Sequence, residues 1–252
     1  MMIKRPILRY YGGKFRASSK ILGYFPKHQV YVEPFGGAAN ILLRKDRCDL
    51  EVYNDLNSRV VNFFKVLRDR PAELLMKLHL TPFAREELDY CCTLETDDPL
   101  ESARCLFVES WMTIQGAGVE SNSKVSFRGS RDRGGFFPPE LSDLYACAER
   151  LKKVVIEHTD AFKVIDKYDG ENTILYIDPP YNGRPGEDYA VKFTEHERLA
   201  EVLHAASSYV IVSALDNELY RKLYWDWLFV DILINGTANR TKREVLIMNY
   251  AL

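Results

Sequence analysis

The chain has 252 residues, of which 46% are hydrophobic and 28% are charged, and its formal net charge is −2. This composition is typical of a globular enzyme with a sizeable core, and it excludes disordered and collagen-like chains. The five cysteines form no C-x-x-C pair, and no apolar run approaches about 18 residues. We therefore expect a cytoplasmic protein without a disulfide framework, a structural zinc site or a membrane span.

The first part of the chain alternates between strand and helix patterns. Residues 29–33 predict a short strand that runs into a Pro/Gly loop, and residues 38–45 have helical apolar spacing. A second strand follows at 50–55, and a helix at 56–69 carries its apolar residues on one stripe. Two strand–helix pairs in succession indicate the opening of a parallel, doubly wound sheet.

The middle of the chain changes to helix patterns. These cover 71–80, 85–94 and 99–114, each with a proline near its start. Residues 115–139 form a loop rich in Gly, Ser and Arg, and a helix resumes at 140–153. A helical segment thus interrupts the strand–helix alternation.

Strand patterns return after this segment, at 154–158, 173–177 and 209–213. A helix at 194–207 precedes the last of them, and the chain ends on strand patterns at 227–235 and 243–250 that fit an antiparallel pair at a sheet edge. We therefore predict an α/β fold. Residues 1–66 and 151–252 form a doubly wound, Rossmann-like catalytic domain, and residues 67–150 form a mostly helical insertion.

Four of the predicted strands end in an acidic residue or a glycine turn, at 33–37, 54–55, 158–160 and 178–181. Ligands bind beyond the carboxyl ends of the strands in doubly wound sheets. Any one such end is ordinary, but four together favour a shared ligand site.

Two of these ends suit a nucleotide-like ligand. The Gly36-Gly37 turn lets the backbone approach a ligand closely, and Asp55 lies where a carboxylate binds ribose hydroxyl groups in nucleotide-binding folds. Asn54-Asp55 also fits an ordinary helix N-cap, so both interpretations stay open at this point.

The end at Asp178-Pro179-Pro180-Tyr181 suits a planar amine. The prolines have no N–H, so the Asp178 carboxylate and the Pro179 carbonyl form a rigid pair of acceptors for an amino group with two N–H donors. Tyr181 can stack on the ring that carries this amine. The alternative is a strand end with a proline stop.

The chain resembles the Dam-like (D12 class) DNA adenine-N6 methyltransferases. The resemblance rests on motifs in the family's order: Y-x-G-G-K at 10–14, EPFGG at 33–37, N-D-x-N at 54–57, DAF at 160–162, DPPY at 178–181, and REVL at 243–246 followed by Asn249-Tyr250. It implies a Rossmann-like fold that binds S-adenosylmethionine (AdoMet) and a target-recognition role for the insertion, with no metal required.

The resemblance also implies the roles of the matching residues. Those that bind AdoMet are Tyr10, Lys14, Pro34, Phe35, Gly36, Gly37, Asp55, Asp160, Ala161, Phe162 and Asp178. Tyr10 and Lys14 would lie at its methionine end, Phe35 beside its adenine, and Asp55 on its ribose. The catalytic residues are Asp178, Pro179, Pro180 and Tyr181, which would hold a target adenine flipped out of the duplex.

Double-stranded DNA is then the expected partner of a monomer or weak dimer. The candidate DNA contacts are Arg128, Arg131 and Arg133 in the polar loop and Arg240 near the end of the chain, although solvated arginines give the same pattern. The loop departs from GATC-reading members, so the resemblance does not imply that recognition sequence. Ala39 stands where the family often has a glycine, and we expect an unstrained φ there.

Other functions also fit parts of the pattern. The methyl acceptor could instead be cytosine N4, an RNA base or a glutamine amide, and an inactive methyltransferase fold could serve as a DNA-binding protein. The intact DPPY motif together with Lys14 and Asp55 favours an active enzyme.

Overall fold

Apolar runs rich in β-branched and aromatic residues pair into one mixed sheet of seven strands within the described part of the chain. The computed structural model describes residues 3–10, 12–113, 127, 139–181, 192–235 and 241–251. The strands are β1 (Val30–Glu33), β2 (Leu50–Asn54), β3 (Val154–Glu157), β4 (Thr173–Ile177), β5 (Tyr209–Ala214), β6 (Leu228–Asn235) and β7 (Thr241–Met248).

The strand order is β3-β2-β1-β4-β5-β7-β6. The five strands from β3 to β5 are parallel, and β7 is antiparallel to both β5 and β6. The order reverses between β1 and β4, which is the switch point where doubly wound sheets bind their ligands. This confirms the predicted Rossmann-like sheet and the antiparallel pair at its edge.

Helices cover both faces of the sheet. They are α1 (Ser18–Leu22), α2 (Ser58–Asp69), α3 (Pro71–Leu80), α4 (Arg85–Thr93), α5 (Pro99–Met112), α6 (Leu141–Leu151), α7 (Ala161–Tyr168), α8 (His196–Ala205) and α9 (Glu218–Leu223). None of the helices that the structure describes is long and apolar enough to cross a membrane.

Successive side chains of a strand point to opposite faces of the sheet, so the apolar strands produce two cores, one on each face. Tyr31 and Tyr176 belong to the core that α2, α5 and α6 cover. Val32 and Ile177, their neighbours in sequence, belong to the core that α7, α8 and α9 cover. Because both faces are buried, the central strands read as nearly continuous apolar runs.

The helical insertion shares the first core with the sheet. Helix α5 buries Leu106 and Phe107 there, and α6 adds Leu144. A smaller cluster of Leu88 and its neighbours joins α4 to α5. The division into a catalytic domain and a recognition domain at residues 67 and 150 stays a prediction.

Two local expectations from the sequence are wrong. Residues 38–45 form a series of hydrogen-bonded turns instead of an α-helix. The second concerns Ala39, which is buried and has a φ of +52°. This φ lies in the left-handed region that favours glycine, so the backbone at Ala39 is strained and not unstrained as expected.

Candidate active site

The carboxyl ends of β1, β2 and β4 meet at a cleft that encloses about 840 Å³ of empty space, counted out to its open mouth. The predicted site residues that line the cleft are Tyr10, Lys14, Pro34, Phe35, Gly36, Gly37, Asp55, Ala161, Asp178 and Pro180. The structure thus brings together residues from widely separated motifs.

Asn54 ties three strand ends together beneath the cleft, a role that the sequence analysis missed. Its amide nitrogen donates to the carbonyl oxygens of Pro34, at 2.8 Å, and Thr159, at 3.0 Å. Its amide oxygen accepts from the Thr159 N–H at 2.9 Å. These bonds join the loops after β1, β2 and β3, and the Asn54 side chain is buried.

Gly36 approaches β2 too closely for any side chain. Its N–H donates to the Asn54 carbonyl at 2.8 Å. A Cβ atom at this position would lie 2.2 Å from the buried Tyr53 ring. Glycine is therefore required here by contact with the protein itself, which holds the loop against the end of β2.

Asp55 organises the neighbouring turn. Its Oδ2 accepts from the Gly37 N–H at 2.8 Å and its Oδ1 from the Asn57 N–H at 2.7 Å. Burial raises the pKa of Asp55, although both backbone donors favour its ionised form. Each oxygen retains acceptor capacity toward the cleft.

The N-cap of α2 is Asn57, whose side chain accepts from the N–H groups of Arg59 and Val60. The N-cap interpretation of Asn54-Asp55 is therefore wrong. The two residues serve instead to connect the strand ends and to orient the loop.

Glu33 lies on the floor of the cleft and is buried. Its Oε1 accepts from the Tyr31 hydroxyl group at 2.6 Å and from the Leu42 N–H at 3.0 Å. Its Oε2 has no hydrogen-bond partner among the described residues. Burial raises the pKa of Glu33 to about 8 despite these two donors.

Lys14 reaches the DPPY motif from the N-terminal segment, and its side chain is buried. The Nζ atom donates to Asp178 Oδ1, the Tyr181 hydroxyl group and the Gly12 carbonyl, at 2.8, 2.8 and 2.9 Å. Burial alone would lower the pKa of Lys14, but the negative charges of Asp178 and Glu244 raise it well above its ordinary value. The lysine therefore stays charged at the DPPY motif.

The DPPY motif follows β4 as predicted. Asp178 and Pro180 line the cleft, whereas Pro179 and Tyr181 are buried beside it. Burial raises the pKa of Tyr181, so its hydroxyl group stays protonated. The DPPY motif thus presents one carboxylate to the cleft, and Lys14 holds it.

The remaining predicted residues lie at the start of α7, and Phe35 lies beside a second aromatic residue, Phe193. Asp160 is the N-cap of α7, and its Oδ1 accepts from the Phe162 N–H at 2.8 Å. Phe162 is buried in the second core. Phe35 contacts Phe193, which also lines the cleft, with ring centroids 5.1 Å apart. The sequence analysis missed Phe193, which follows a polar segment without a motif.

The four arginines predicted to contact DNA, at positions 128, 131, 133 and 240, lie outside the described residues.

The family model for D12 class N6 adenine-specific DNA methyltransferases matches residues 10–239. The chain belongs to this family. The predicted enzyme class, an adenine-specific DNA methyltransferase, is thereby confirmed at the level of the family. The cleft and the motifs from Tyr10 to Tyr181 lie within the matched range, whereas the REVL motif at 243–246 follows it.

Several named relatives are similar to this methyltransferase at low identity. The DNA N-6-adenine-methyltransferase of Escherichia phage P1 is 23% identical over 243 residues, which cover 88% of this chain and 31% of the phage protein. The DNA adenine methylase of Salmonella typhi is 24% identical, covering 89% of this chain and 85% of the relative. The type II methyltransferase M.MjaIII of Methanocaldococcus jannaschii is 24% identical, covering 98% and 99%. The chain thus spans only about a third of the phage relative but most of the other two.

Proposed function

We propose that the protein transfers the methyl group of AdoMet to the N6 atom of an adenine that is flipped out of duplex DNA. The observation that carries this proposal is the position of Asp178. Its carboxylate lines the same cleft as Asp55 and the Gly36-Gly37 turn, so a methyl donor at the turn and an amine at the carboxylate would meet.

Three features of the cleft fit AdoMet. Asp55 presents a carboxylate that backbone N–H groups hold in place, as a ribose diol requires. Phe35 and Phe193 form an aromatic wall for a purine ring. Glu33 Oε2 is a buried polar atom without a partner among the described residues, which a polar group of the ligand would satisfy. Bound AdoMet would supply a methyl group on a positively charged sulfonium sulfur, and the neutral thioether released by the transfer is an excellent leaving group.

Asp178 and Pro179 deal with the weakness of the nucleophile. The lone pair on adenine N6 is delocalised into the ring, so the amine reacts poorly in its planar form. Hydrogen bonds from N6 to the Asp178 carboxylate and the Pro179 carbonyl favour a tetrahedral nitrogen with its lone pair aimed at the methyl group. Positioning and electrostatics of this kind can supply most of a rate acceleration.

The proton balance also involves Asp178. After methyl transfer, N6 carries one proton too many, and the Asp178 carboxylate is the acceptor beside it.

The adenine must leave the base stack because N6 cannot reach a buried motif from within the duplex. A cytoplasmic location and a monomeric or weakly dimeric state stay predictions.

The test is methylation of duplex DNA with AdoMet carrying an isotopic label, followed by digestion and mass analysis of the nucleosides. We expect labelled N6-methyladenine with the wild type, and none with Asp178→Ala, whose AdoMet binding should remain at least partly intact. Labelled N4-methylcytosine, or full activity of Asp178→Ala, would refute the proposal. Label transferred only to RNA or protein in parallel reactions with those substrates would also refute it and point to another planar amine.

A further inference from the structure

The ammonium group of Lys14 occupies the place that the target amine would take. It lies 2.8 Å from both Asp178 Oδ1 and the Tyr181 hydroxyl oxygen, and 5.0 Å from the centroid of the Tyr181 ring. If the proposed function is correct, a base held by Asp178 and Tyr181 displaces this cation. A buried ammonium needs a new countercharge when it leaves the old one.

Glu244 of β7 offers this countercharge. Its Oε2 lies 3.9 Å from the Lys14 Nζ atom, and its side chain is buried. At this distance the two groups form an ion pair without direct hydrogen-bond contact. A small rotation of the flexible lysine side chain would bring the ammonium group into contact with Glu244.

Two hydroxyl groups, those of Ser213 and Tyr176, lie on the same face of the sheet as Glu244. Ser213 pairs with Leu246 across β5 and β7, and Tyr176 and Leu246 both pack in the first core. Strand alternation therefore places Ser213, Tyr176 and Glu244 on one face. Neither the Ser213 nor the Tyr176 hydroxyl group has a hydrogen-bond partner within the described residues. An ammonium group has three donors, and this region offers a carboxylate and two hydroxyl acceptors.

We propose that Lys14 alternates between two positions, on Asp178 while the base site is empty and on Glu244 once the target amine has taken its place. Glu244 is then a positioning residue that acts through Lys14. It lowers the free energy of displacing the lysine and so favours entry of the base. It makes no contact with the substrate in this scheme.

The test is a double-mutant cycle with Glu244→Gln and Lys14→Met in the full chain. The assays measure kcat and KM for duplex DNA, AdoMet affinity, and DNA affinity with S-adenosylhomocysteine bound, which requires no chemistry. The duplex carries the site identified by sequencing DNA from cells that express the protein. Glu201→Gln, on the exposed face of α8, is the matched control for loss of a carboxylate.

We expect Glu244→Gln to weaken DNA affinity and kcat/KM about tenfold or more, at AdoMet affinity within about twofold of wild type, because the displaced lysine loses its countercharge. In the Lys14→Met background the same change should alter DNA affinity less than about twofold, since no cation remains to be accommodated. Glu201→Gln should change neither quantity.

An equal loss in both backgrounds would show a structural role for Glu244 and overturn the proposal, as would an unchanged DNA affinity of Glu244→Gln. Should Glu244→Gln fail to fold, Glu244→Asp keeps the charge and must show the same dependence on Lys14 with a smaller loss. If the wild type methylates no adenine, the proposed function fails. If it does and the cycle shows no coupling, only the two-position scheme fails.

Discussion

Replacing Asn54 by alanine tests whether the strand ends depend on one buried amide. The variant removes three hydrogen bonds that join the loops after β1, β2 and β3. It leaves the Pro34 carbonyl and both backbone groups of Thr159 without these partners, in a region where Asn54 itself is fully buried.

The expected loss follows from these bonds. A net contribution of about 1 kcal/mol each gives about 3 kcal/mol, and unsatisfied groups left behind can add to it. For a chain of this size, that loss lowers the melting temperature by about 6–12 °C. Because the Gly36 N–H also bonds to the Asn54 carbonyl, we expect AdoMet affinity to fall about tenfold as the loop loses its support.

Urea unfolding and calorimetric titration with AdoMet measure the two effects. Asn62→Ala is the matched control, because its amide makes one exposed hydrogen bond, to the Pro99 carbonyl at 2.8 Å. The control should lose less than about 1 kcal/mol. If Asn54→Ala is as stable as the control, the connection between the strand ends does not support the site as described.

Three further predictions concern the cleft. Asp55→Ala should weaken AdoMet binding about 10- to 100-fold in a titration, because a charged acceptor is lost, and unchanged affinity would exclude the ribose role. Gly36→Ala should destabilise the fold by about 1–3 kcal/mol in urea unfolding, since the new Cβ would overlap the Tyr53 ring, and wild-type stability would contradict that geometry. Between about pH 4.5 and pH 8, native Glu33 holds a proton that the unfolded chain releases, so wild-type stability falls as pH rises. The free energy of unfolding of Glu33→Gln should therefore rise relative to that of the wild type as the pH increases across this window. A difference between the two free energies that stays constant with pH would contradict the raised pKa of Glu33.

The sequence predicted the parts of the fold that depend on local patterns. The apolar runs at β1, β4 and β5 indicate buried strands, and their alternation with helix patterns indicates a doubly wound sheet, as observed. The family motifs then placed Lys14, Asp55 and Asp178 in one site before any geometry was known.

The parts that were missed depend on contacts between distant segments. The contacts of Asn54 and Glu244 arise only when segments far apart in the chain become neighbours. The apolar spacing of residues 38–45 is helical, but the positive φ of Ala39 divides the segment into turns. A period of hydrophobic residues cannot report a single backbone angle, so this error could not be avoided from the pattern alone.

The most direct test of the central claim is single-molecule sequencing of DNA from cells that express either the wild type or Asp178→Ala. We predict N6-methyladenine at one defined sequence in the wild-type sample and unmodified adenine at the same sites in the variant sample. Methylated cytosine in place of adenine, or the same adenine pattern in both samples, would contradict the account.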